Sequence, residues 1–142
     1  MTFPLPPGPI APGPLPPDPA PADPRRQKSE QFGRLAEALC RALLRVKGYR
    51  ILASRLRTPL GEIDIVARRG RTLAVVEVKA RADWAAASEA VTARQRGRLA
   101  RAAHAYIAAH PQYAGLTLRF DVMLVTPWAV PRHILDAWRA QS

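Results

Sequence analysis

The sequence predicts an α/β domain, a mixed central sheet flanked by helices, running helix, three strands, helix, strand. Three observations predict it. Apolar residues recur at helical spacing over 29–46 and again over 88–108. Between them lie three β-branched runs, 49–56, 62–67 and 72–79, separated by turns that contain glycine. A last run, 116–125, alternates apolar and polar residues. Helices interleaved with strands in this way pack onto the faces of one sheet.

The first 24 residues stand apart. They hold eleven of the fifteen prolines and almost no charge. Proline fixes φ and removes an amide donor, so this stretch is expected to be a disordered or polyproline-like arm. Residues 25–142 are long enough for one domain with one core. There is no basic leader with an apolar run behind it, and no stretch of about 18 apolar residues, which argues against a secretory signal and a membrane span. Cys40 is the only cysteine. It falls within a helical pattern and reads as a small buried apolar group in a reducing cytoplasm.

The first helix is expected from Ser29, a good cap, to Val46. Phe32, Leu35, Leu39, Leu43 and Val46 form its apolar stripe and Gly48 its stop. Glu37 lies at the border of that stripe. Thr58 to Gly61 forms the turn between the first two strands, and Arg68 to Arg71 the turn between the second and third. The second helix is expected from Ser88 to Ala108, closed by His110-Pro111. A final segment, 133–140, reads as one or two helical turns.

The charges inside the strands carry the chemistry. Strand side chains alternate faces, so Glu62, Asp64 and Val66 share a face, as do Leu73, Val75, Glu77 and Lys79. A loop of two or four residues would set Asp64 opposite Val75 and Glu62 opposite Glu77, with all four charged groups on one side. An odd loop would shift the pairing by one. Acids this close repel unless a cation or a proton sits among them. Mg²⁺ and similar ions take carboxylate and carbonyl oxygens. Asp64 and Glu77 would supply two, and the backbone carbonyl of Val78 a third. Lys79 would orient or deprotonate a water, or bear developing charge. The plainer alternative is a salt bridge between Lys79 and either acid. Glu62 is equally a further ligand or an ion-pair partner.

The formal charge is +11, from 22 basic against 11 acidic residues, and arginine dominates the basic set. A surface of that sign attracts polyanions. Arg81, Arg94, Arg96, Arg98 and Arg101 are the candidates for tracking a phosphate backbone. Their alternative is a solvated helix face. Trp84 is either a hydrophobic anchor or a stacking surface for a base. His104, His110 and His133 lack zinc-like spacing.

Several blocks occur in a recognisable order: Gly33-x-x-Ala36-Glu37, Gly48-Tyr49-x-Ile51-Leu52, Gly61 to Ala67, Val76-Glu77-Val78-Lys79-x-Arg81, Arg119-Phe120-Asp121-Val122 and His133-Ile134-x-x-Ala137-Trp138. The set resembles the YraN-like family of small bacterial proteins. That family looks like a branch of the PD-(D/E)xK, restriction-endonuclease-like fold and is similar to archaeal Holliday-junction resolvases. The resemblance spans Ser29 to Trp138. It implies that Asp64, Glu77 and Lys79 are the motif positions and that Glu37 completes the site; a solvated helix carboxylate is the alternative for Glu37. Asp121 reads as structural, paired with Arg119 or an arginine of the second helix. The sequence departs from the family pattern in three places. Ser54-Arg55-Leu56 lacks the family's Asn after an Arg, Arg94 replaces a Lys, and Ile63 fills the proline position.

The resemblance implies a Mg²⁺- or Mn²⁺-dependent nuclease acting on DNA rather than RNA, on branched or damaged structures, with a homodimer as the working unit. The same fold also serves modules that bind nucleic acid without cutting it. In a third reading the proline arm recruits a protein partner through its polyproline conformation.

Overall fold

The computed structural model describes residues 23–81 and 92–139, with residues 2–5, 7–9 and 13–14 of the arm. The elements are α1 (Pro24–Val46), β1 (Arg50–Thr58), β2 (Gly61–Arg69), β3 (Thr72–Ala80), α2 (Ala93–Ala109), a 3-10 turn (Pro111–Tyr113), β4 (Thr117–Val125) and β5 (Arg132–Trp138). The strands form one sheet in the order β1-β2-β3-β4-β5. Only β3 and β4 run parallel; the other neighbours are antiparallel. This is an α/β fold with a mixed sheet and flanking helices, consistent with the restriction-endonuclease-like arrangement.

The sheet separates two cores. On one face Ala36, Cys40 and Leu44 of α1 pack against Ile65, Ala67, Val76 and Met123. On the other, Leu99, Ala102 and Tyr106 of α2 pack against Val66, Val75 and Phe120. Fully burying a Leu or Ile side chain stabilises the fold by roughly 1.5–3 kcal/mol. Cys40 is fully buried, as expected, and burial pushes its thiol up to about 12.

Several elements differ from expectation. Helix α1 begins at Pro24, with Asp23 as its cap accepting from Arg25 N–H, not at Ser29. Proline suits the first helical position because that amide has no helical partner anyway. The buried stripe of α1 is Ala36, Cys40 and Leu44, one step round from the larger residues; Leu35, Leu39 and Val46 are exposed. Gly48 does end the helix, at φ +92, with Gly48 N–H on Arg45 O and Tyr49 N–H on Leu44 O. Helix α2 begins at Ala93, where Thr92 and Gln95 cap each other reciprocally; the expected start at Ser88 is outside the described residues. Trp84 and residues 88–91 lie outside the described residues. The last segment is a strand, β5, not helical turns. Its alternation is masked by an irregularity opposite Phe120/Val122 and by Asp136 at φ +50. Between the Val122↔Ile134 and Phe120↔Trp138 pairs β5 carries two extra residues, and this interruption hides the alternation that marks a strand.

The β2–β3 turn is also tighter than expected. Arg68 and Arg69 belong to β2, the ladder opens at Arg69↔Thr72, and Gly70 turns at φ +58. Val66, not Asp64, therefore lies opposite Val75, and the expected pairings of Asp64 with Val75 and Glu62 with Glu77 are each displaced by two residues. The loop keeps its even length. A shift by two leaves the parity of the pairing unchanged and moves Asp64 to the position next to Glu77.

Candidate active site

Three strand residues define the site. The regular β2–β3 ladder stops at Ile65↔Val76. Immediately beyond it the alternation of β2 slips: Ile63 joins the α2-side core although Ile65 lies on the α1 side. Asp64 sits at the slip. Its Oδ2 accepts the Val78 N–H at 2.8 Å. A side-chain oxygen thus replaces the backbone carbonyl that a continuing ladder would offer, and the acid is drawn in between the strands.

That position is electrostatically costly. The Asp64 carboxyl is pushed from 3.8 up to about 7. Burial is the largest cause, followed by the charge of Glu77. The Val78 N–H opposes the shift, while a hydrogen bond shared with Glu77 and the charge of Glu37 add to it. A buried carboxyl that keeps its proton beside a second acid marks a place where a cation can take the proton's place. Lys79 Nζ lies 3.4 Å from Glu77 Oε1, both half-buried. The salt bridge weighed as an alternative role for Lys79 is therefore present, and it also holds the ammonium beside the paired acids.

The site opens on two sides of the sheet. On the α2 side, a cavity of about 240 Å³ is lined by Glu62, Asp64, Glu77, Gln95, Arg98 and Leu99. Gly61 admits Arg98 here: a Cβ on Gly61 would stand 2.7 Å from Arg98 Cγ. On the α1 side, a second cavity of about 520 Å³ is lined by Glu37, Val78, Arg81 and Pro127 among others. Glu37 faces this second space and is held at 2.6 Å by Arg55. Arg55 adopts φ +49, an uncommon backbone for a residue other than glycine or asparagine. The site residues expected from the sequence thus divide. Asp64, Glu77 and Lys79 come together, Glu62 and Arg98 join their cavity, and Glu37 and Arg81 lie across the sheet.

The other arginines of α2 separate further. Arg96 stacks over Trp138 at 5.9 Å and Arg101 lines a groove beside it. Arg94 is exposed in the first turn of α2. Asp121 is structural, as expected, and pairs with Arg119. Gln95 was missed by the sequence reading; the Thr92-x-x-Gln95 capping spacing was the available signal, and it marks the helix start that brings Gln95 to the acids. Among the described residues no three His, Cys, Asp or Glu side chains converge to hold a metal ion. The donor set that fits a cation is therefore the Asp64–Glu77 pair with backbone or solvent oxygens, a set that suits Mg²⁺. Among the described residues no helix is long and apolar enough to cross a membrane.

Comparison with known proteins agrees with the resemblance read from the sequence blocks. The sequence model of "Uncharacterised protein family UPF0102" matches residues 36–125. A UPF0102 protein of Parvibaculum lavamentivorans is 57% identical over 77% of this chain and 82% of its own length. One from Bradyrhizobium diazoefficiens is 55% identical over 75% of this chain and 80% of its own. One from Paramagnetospirillum magneticum is 49% identical over 80% and 91%.

Proposed function

For this chain, which belongs to the UPF0102 family, we propose a Mg²⁺- or Mn²⁺-dependent nuclease acting on DNA, with branched structures as the first substrates to test. The observation that carries this reading is Asp64, a carboxyl drawn in between the strands onto the Val78 N–H and held beside Glu77 and Lys79 at a break in the sheet.

Asp64 and Glu77 would hold the cation, with the Val78 carbonyl as a third oxygen. A bound divalent ion supplies positive charge against the charge that builds on a phosphate under attack. The chain supplies the rest. Lys79 stands beside Glu77, placed to orient the attacking water or to bear charge that builds on the phosphate. Arg98 lines the same cavity, where a guanidinium suits a phosphate oxygen. The basic surface draws the polyanion in. Glu37, tied to Arg55, shapes the field at Asp64 from the far side. Cleaving both strands of a duplex calls for two such sites, so the working unit is read as a pair of chains. The lone buried thiol suits the cytoplasm.

The test is cleavage of forked, flapped and four-way DNA with Mn²⁺. We expect cuts by the wild type and a loss of at least about 100-fold in Asp64→Ala. Tight DNA binding with no cutting on any substrate, unchanged by Mn²⁺, would favour the module that binds without cleaving.

A further inference from the structure

On the far flank of α2 from the acids, a groove runs between that helix and β5. It consists of two adjoining cavities of about 370 and 350 Å³ that share His104, Trp138 and Arg139. Its helical wall is Ala93, Gly97 and Ala100, spaced i, i+4 and i+7 along one face. Arg96 and Arg101 stand along it. Glycine inside a helix is unfavourable against alanine, so Gly97 calls for a reason. Apart from Arg101 Nη1 at 3.4 Å, a Cβ there would meet nothing within 4 Å; the missing side chain leaves the groove open. Its opposite wall carries a donor without a partner. The Trp138 indole N–H is buried and has no acceptor among the described residues. Arg139 makes one weak contact with Asp136 at 3.3 Å, and Arg101 has no ion pair among the described residues. The two flanks of α2 are connected. Arg94, Arg98 and Arg101 fall on one outer face at i, i+4 and i+7, and Arg98 reaches the acid cavity while Arg101 reaches the groove.

We propose that this groove is a subsite for the sugar–phosphate backbone of a nucleic-acid strand, holding the DNA beside the bond presented to Asp64 and Glu77. The proposal rests on the nuclease reading for its orientation, but binding is measured without catalysis. Several arginines around an open concave wall suit a chain of phosphates rather than a buried small molecule. The tool is Gly97→Leu, which fills the groove, removes no charge and replaces glycine with a better helix former. A second variant, Arg101→Ser with Arg139→Ser, removes two cations from exposed positions.

Fluorescence anisotropy with a labelled four-way DNA in EDTA is the assay, repeated from low to moderate salt. Both variants are expected to bind about tenfold more weakly with wild-type circular dichroism. The double variant should also lower the salt slope by about one to two. Leu39→Ala, on the exposed face of α1, should bind as the wild type does. Wild-type affinity in both groove variants would overturn the subsite, as would failure of the wild type to bind DNA. DNA binding that needs the groove, in a protein that never cuts, would sink the nuclease reading and leave the subsite standing.

Discussion

At Asp64 the sign of the pH effect follows from the direction of its shift. In the metal-free protein this carboxyl keeps its proton up to about 7, while in an unfolded chain it ionises near 3.8. Between those values the folded state holds the extra proton, so its contribution to stability is full below 3.8 and is lost as pH rises through about 7. Asp64→Asn removes that loss. Thermal melts in EDTA should show the variant more stable than wild type by about 1–3 kcal/mol at pH 8 and near wild type at pH 4. A flat difference across that range would mean Asp64 is ionised throughout. Lys79 makes a separate prediction. Lys79→Met should cut turnover by roughly 10²–10⁴ while Mn²⁺ still binds; equal loss of both would make Lys79 a structural counter-ion. Arg55 holds Glu37 from a backbone at φ +49, which costs an arginine more than a glycine or asparagine, so the Glu37 bridge is made at the expense of backbone strain.

The elements show where the sequence was readable. Strands β2 and β3 were legible because β-branched residues and a glycine turn specify them, and even loop parity was enough to predict which charges share a side. The exact pairing was not legible, since Arg68 and Arg69 look like turn residues but extend the ladder. The face of α1 was legible only in part because size is not burial: Phe32 and Leu43 pack at the edge of the core, but Leu35 and Leu39 are exposed while Ala36, Cys40 and Leu44 lie against the sheet. Leu44→Ala should therefore cost about 2–5 kcal/mol in denaturant melts, and Leu39→Ala no more than about 0.5 kcal/mol. The reverse order would restore the original stripe. Strand β5 was hidden by its bulge. That bulge is held by a fully buried carboxylate: Asp121 accepts from Arg119 at two points, from His133 and from the Asp136 N–H. Those donors hold Asp121 well below the usual range, at about 2, against its burial. A depressed carboxyl stabilises above its ordinary pKa, and that gain is lost as pH falls from about 4 through 2. Asp121→Ala should destabilise by about 3–5 kcal/mol at pH 7, because Arg119 is left without its carboxylate. It should also flatten the acid limb of the stability curve.

Over the whole molecule, composition gave the sign of the charge but not its layout. The sequence grouped five arginines as one phosphate track. The fold divides them between an acid cavity, an outer ridge, a groove by Trp138 and the α1 side of the sheet. What brings Asp64 and Glu77 together is likewise a property of the assembled sheet, because the break that admits Asp64 between strands has no local sequence signal. The nuclease reading requires Asp64 to give up its proton when a divalent ion binds between these two carboxyls. Calorimetric titration of Mn²⁺ at pH 6.5, in two buffers of different ionisation enthalpy, measures that exchange. The wild type is expected to bind the ion with release of most of one proton, and Asp64→Ala to lose both. Mn²⁺ binding that ignores the buffer and survives Asp64→Ala, or no binding at all, would contradict the reading.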